Sequence, residues 1–107
     1  MSDALTALLG LGARARSVVI GVAGVRARLQ QGRLAAVVIA ADASLRTREK
    51  VGRLAVARHV PVLVGPAAAR LGAKLGRPPV QTVGVGDRAL ARGLIRLSEE
   101  LRGDTDS

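Results

Sequence analysis

The chain has no cysteine, phenylalanine, tyrosine or tryptophan, and His59 is its single histidine. Without cysteine there is no disulfide, no thiolate nucleophile and no zinc ribbon. Without aromatic rings the core must be aliphatic. Single-strand binders and sheet-surface RNA readers stack bases on such rings, so those modes of recognition are not expected. Acid is scarce as well: between residues 4 and 98 the only carboxylates are Asp42, Glu49 and Asp87. The longest apolar run, Leu34 to Ala41, is too short to span a bilayer, and no membrane association is expected. The start Met1-Ser2-Asp3-Ala4 lacks a basic stretch ahead of an apolar one, so a signal peptide is not expected and a cytoplasmic location is.

What the chain does have is cations and aliphatic residues. Residues 4–98 carry sixteen Lys or Arg against three acids, a balance of +13, while the whole chain stands at +9. A folded body of that sign attracts polyanions at long range. Fifteen of the seventeen cations are Arg, whose planar fork suits phosphate and guanine. At 107 residues, 49% of them hydrophobic, the chain has enough to build one core and not two.

The order of elements follows from apolar spacing. Leu5, Leu8 and Leu9 predict a helix over residues 3–13, and Val18-Val19-Ile20 a short strand ended by Gly21. Val22, Val25 and Leu29 predict one apolar helix face, flanked by Arg26 and Arg28 and stopped by Gly32. The unbroken run Leu34 to Ala40 is expected to be a strand covered on both sides. Asp42 and Ser44 are suited to turn and cap the next helix, with Val51, Leu54 and Ala55 inward. Val60-Pro61 opens an edge-like strand, and Pro66 fits the first turn of a helix with Leu71 and Leu75 inward. A strand over Val80 to Val85 then leads to a final helix capped by Asp87. Leu90, Leu94, Leu97 and Leu101 fall on one stripe of it, and Arg88, Arg92 and Arg96 elsewhere. The expectation is a single α/β domain over residues 1–102, with helices covering a four-stranded sheet, and a flexible tail over 103–107.

Catalytic chemistry has little to work with. His59 stands alone at a helix-to-strand junction, and Asp42 and Asp87 are accounted for as caps. Gly84-Val85-Gly86-Asp87-Arg88-Ala89 matches the dinucleotide pattern Gly-x-Gly-x-x-Gly/Ala, but that pattern needs a following strand with an acid about twenty residues on. Here the chain ends within one helix. No enzyme activity, cofactor, metal or small-molecule substrate is expected. Arg26 and Arg28 lie on a helix opened by Gly21, where backbone amides and guanidinium groups can meet phosphate together.

Several pieces, in this order and spacing, resemble the kink-turn-binding ribosomal protein superfamily. They are Gly32 before the strand ending Ile39-Ala40-Ala41-Asp42-Ala43-Ser44, then Val60-Pro61-Val62, Leu71-Gly72-Ala73-Lys74-Leu75-Gly76 and Val83-Gly84-Val85-Gly86-Asp87. Within that superfamily the likeness, running from Leu8 to Leu97, is to the small bacterial YlxQ-like branch. The resemblance implies a three-layer α/β/α sandwich around a mixed four-stranded sheet, and binding of RNA that bends sharply beside sheared G·A pairs. It also implies a binding face made of the helix start after Gly21, the loop after the second strand and the loop before the last strand. Carried onto this chain, the candidate residues are Gly21, Ala23, Gly24, Arg26, Arg28, Ser44, Arg48, Arg77, Pro78 and Val80. Where tight kink-turn binders have Gly-x-Asn-Glu-x-x-Lys, this chain keeps Gly21 but has Ala23, Gly24 and Ala27 in place of Asn, Glu and Lys.

The expected function is therefore non-enzymatic binding of structured RNA, kink-turn-like or ribosomal, with weak discrimination for the G·A pairs. The alternative is a protein-interaction domain that keeps the fold and has lost specific RNA binding.

Overall fold

The computed structural model describes the backbone of Gly10 and residues 17–106, and side chains of residues 17–98. The helix expected over residues 3–13 lies outside the described residues except for Gly10, which is helical. The described elements alternate: β1 (Val18–Ile20), α1 (Val22–Gln30), β2 (Ala36–Ile39), α2 (Leu45–Ala57), β3 (Val62–Val64), α3 (Ala68–Lys74), β4 (Thr82–Val85) and α4 (Arg88–Asp106). The last helix continues to Asp106, past Gly103, where the sequence places the start of a tail.

The four strands form one mixed sheet in the order β1-β4-β2-β3. β4 runs antiparallel to both β1 and β2, with Val18 opposite Val85 and Val38 opposite Val83, while β2 and β3 are parallel. Every residue of β2 and of β4 is buried. A strand buried on both faces needs a layer on each side, and helices supply them, giving the α/β/α sandwich. α1 packs against α2 and against β1 and β4, and α4 against β4.

The core is aliphatic throughout: Leu29, Leu71 and Leu94 are its largest fully buried side chains, joined by valines such as Val25, Val51 and Val83. Each such side chain contributes roughly 1.5–3 kcal/mol relative to exposure. Thr82, also fully buried, donates its hydroxyl to the Val38 carbonyl at 2.9 Å, so the polar group enters the core with its bond made.

Small residues occur where elements meet closely. A Cβ on Gly84 would stand 2.6 Å from Leu34 Cδ1 and 2.9 Å from Val19 Cγ1. This glycine of the dinucleotide-like pattern therefore serves packing of the central strand. A Cβ on Gly72 would overlap the Pro78 carbonyl oxygen and lie 2.9 Å from that of Arg77. α3 is thus seated directly on the loop that leads to β4.

Helix ends correct two expectations. Asp42 does not cap the next helix; Ser44 does, its hydroxyl oxygen accepting from Thr47 N–H at 3.2 Å. The Asp42 carboxylate accepts instead from Ala68 N–H at 2.7 Å. It supplies from across the fold the acceptor that the N-cap residue Ala67 lacks. Pro66 lies before that N-cap rather than in the first turn, and its carbonyl accepts from Ala41 N–H. Asp87 caps α4 as expected, accepting from Leu90 N–H at 2.8 Å.

α1, α2 and α3 end alike. In each, the residue after the C-cap has a left-handed backbone: Gly32 (φ 68°), His59 (φ 58°) and Gly76 (φ 68°). For α2, His59 N–H donates to Val56 O and Val60 N–H to Ala55 O, the paired bonds of a Schellman turn. His59 thus holds a position that ordinarily falls to glycine.

Candidate nucleic-acid interface

At the end of the sheet where β1 stops and β4 starts, a groove of about 440 Å³ opens. Its wall combines the start of α1 (Gly21, Val22), Thr47 of α2, and the loop from Arg77 to Gln81. Gly21 has φ 99°, a conformation that favours glycine, and its N–H donates to Thr82 O at 3.0 Å, tying the helix start to β4. No side chain caps α1, and its first turn holds no acid. Among the described residues, the first amides and the positive dipole end of that nine-residue helix therefore meet no capping side chain and no acid of their own turn.

Across the groove, Gln81 ties the second segment to the third. Its side-chain oxygen accepts from Thr47 Oγ1 at 2.8 Å and from Ser44 N–H at 3.1 Å. Ser44 Oγ donates in turn to Thr47 Oγ1 at 3.1 Å. With its oxygen so committed, the Gln81 amide NH₂ is the end left to donate to a ligand. The loop itself exposes Arg77, Pro78 and Pro79 while Val80 is buried, its N–H bonded to Ala68 O. An exposed guanidinium beside two prolines gives a charged and an apolar contact at one lip.

Of the residues singled out from the sequence, Gly21, Arg77, Pro78 and Val80 line this groove. Ser44 adjoins it through Gln81, its hydroxyl occupied by the α2 cap. Ala23 is exposed on the first turn of α1. Gly24 is half-buried against β1, where a Cβ would meet Val19 Cγ2 at 2.6 Å. Arg26 folds across to α2 and donates to the Lys50 carbonyl at 2.8 Å. Arg48 donates to the Ala41 carbonyl at 2.7 Å, bracing the loop after β2. Arg28 sits elsewhere, lining a separate recess with Ser17 and Asp87 at the opposite end of the sheet. Thr47 and Pro79 fall inside the segments 44–48 and 77–80 that the resemblance marks, though neither was singled out, and Gln81 lies one residue beyond them. The Thr47–Gln81 bond joins residues 34 positions apart, and neither residue type carries a local signal of it.

A larger recess, about 700 Å³, lies between α2 and the edge strand β3 and is lined mainly by apolar side chains, including the exposed Val56 and Val64. It shares no lining residue with the groove, and its charged members are Arg48, Glu49 and Arg53. Among the described residues no three His, Cys, Asp or Glu come together as metal ligands, and no helix is long and apolar enough to cross a membrane.

Comparison with known proteins places these features in context. Residues 3–94 match the profile of the ribosomal protein L7Ae/L30e/S12e/Gadd45 family. A Bacillus halodurans protein of unknown function is similar in structure, with a TM-score of 0.86 and 30% identity over 92% of this chain and 99% of that one. The Giardia lamblia 15.5kD RNA binding protein shares the fold, with a TM-score of 0.75 and 19% identity over 94% of this chain and 92% of that one. A comparison with curated proteins gives no match.

Proposed function

This chain belongs to the ribosomal protein L7Ae/L30e/S12e/Gadd45 family, and from that premise we propose that it is a non-enzymatic RNA-binding protein. The groove at the start of α1 is its principal contact surface. One observation carries this reading: the uncapped helix start, the Thr47–Gln81 pair and the Arg77 loop converge on one groove. Open amides and Arg77 supply phosphate contacts, the Gln81 amide reaches a base edge or sugar, and the proline ridge of Pro78 and Pro79 packs against an unstacked base. The basic body supplies long-range attraction.

Its ligand is a structured, bent RNA, ribosomal RNA among the candidates, and the protein acts in the cytoplasm. Readout of the G·A pairs is weak, because Ala23 and Gly24 present neither an amide nor a carboxylate to guanine. The test is fluorescence anisotropy with a kink-turn RNA and with the same RNA carrying Watson–Crick pairs in place of its G·A pairs. The expected result is binding to both, weakened by the Arg77→Ala/Gln81→Ala variant. No binding to either RNA at low salt would overturn it and leave the protein-interaction alternative.

A further inference from the structure

At the opposite end of the sheet, where β4 stops and β2 starts, a second recess of about 520 Å³ gathers four basic side chains: Arg58, His59, Arg88 and Arg92. They come from separate elements. Arg58 and His59 form the C-terminal turn of α2, and Arg88 and Arg92 stand one turn apart on α4. All four are exposed, none has a hydrogen-bond or ion-pair partner among the described residues, and no carboxylate lines the recess. Leu34 and Ile95 contribute apolar wall.

Three guanidinium groups in one concavity repel one another, and no carboxylate among the described residues lines it to offset them. The turn that brings Arg58 there also carries a cost. A non-glycine residue in the left-handed region is disfavoured by roughly 1–2 kcal/mol, yet His59 occupies it and its ring joins the recess.

The geometry points to a second phosphate-binding surface, whose ligand is the backbone of an RNA segment distinct from the one in the groove. Arg side chains one helical turn apart, facing a further Arg on α2, suit successive phosphates along a strand better than one small anion. The strands separate the two surfaces, so one molecule clamps two RNA segments. This extends the RNA reading, but it uses none of the groove residues, so either surface can fail without the other.

The test uses the full chain with the groove disabled by Arg77→Ala/Gln81→Ala, and a straight 12-base-pair RNA duplex as probe. Amide shifts on titration should concentrate at residues 34–35, 58–60 and 88–95. Adding Arg88→Gln/Arg92→Gln should weaken duplex binding roughly tenfold and reduce the salt slope by about two, whereas Arg53→Gln/Arg96→Gln, which removes equal charge, should do neither. Equal losses from the two pairs would overturn the proposal in favour of a uniform field. So would inorganic pyrophosphate shifting the same amides while the duplex does not, which would assign the recess to a small anion.

Discussion

Gly24 on α1 lies so close to Val19 on β1 that a Cβ there would stand 2.6 Å from the Val19 methyl. The family motif puts a glutamate at this position. Here the helix has settled onto the strand at the place where that side chain would start, and restoring the motif is a packing problem before it is a recognition problem. Gly24→Glu alone should destabilise the fold by about 1–3 kcal/mol through overpacking, measured by urea denaturation. Combining it with Val19→Ala should cost less than the sum of the single changes. If the costs simply add, the two positions are not in the contact described.

In that relieved background, adding Ala23→Asn should raise preference for a kink-turn over its G·A-disrupted counterpart. The gain expected from a good bidentate base contact is about 1–3 kcal/mol. The unsubstituted protein should show little preference. A hundredfold preference without any substitution would mean that the Gln81 edge and the Arg77–Val80 loop carry the readout.

Gly72→Ala sets two effects against each other. Helix propensity favours alanine by about 1 kcal/mol. The Pro78 carbonyl, which a Cβ would overlap, opposes it, and because that atom belongs to the backbone no rotamer change relieves the clash. The net effect should be destabilising, with weaker RNA binding as the Arg77–Pro79 lip moves. Denaturation together with anisotropy on one sample checks both; a more stable variant with unchanged affinity would contradict it.

His59→Gly should stabilise the protein by about 1 kcal/mol, because glycine meets no Cβ penalty at φ 58°. For a domain of this size that is a rise in Tm of roughly 4–8 °C. The same substitution removes the His59 ring from the second recess, so it should trade affinity for the straight duplex against stability.

RNA affinity should fall steeply with salt. With roughly four to six phosphates contacted, it should drop by about two to three orders of magnitude between 50 and 200 mM salt. A slope near zero would refute an electrostatic origin for binding.

Much of the fold was legible because it depends on burial patterns that repeat locally. The unbroken run around Val37-Val38-Ile39 signals a strand covered on both faces, and Gly32 signals a helix end. The left-handed end of α2 gave no such signal, since histidine seldom marks one. Asp42 was legible as a cap but not as a cap for Ala68, because the partner is 26 residues away. The groove followed the same division. Gly21 is visible as the stop of a strand and the opening of a helix, and Arg77 is marked only by the resemblance to kink-turn binders. The Thr47–Gln81 bond and the retreat of Arg26 onto Lys50 are made by helices and strands meeting, which no local window records.

The strand order β1-β4-β2-β3 also governs the birth of the protein. β2 and β3 are neighbours in space and, through α2, in the chain, so they can pair as soon as residues up to 65 have left the ribosome. β1 has no such option, because among the described strands its neighbour in the sheet is β4, which is synthesised last of the four. Until Thr82–Val85 emerges and slides between them, β1 and the near side of β2 are both open edges on a nascent chain.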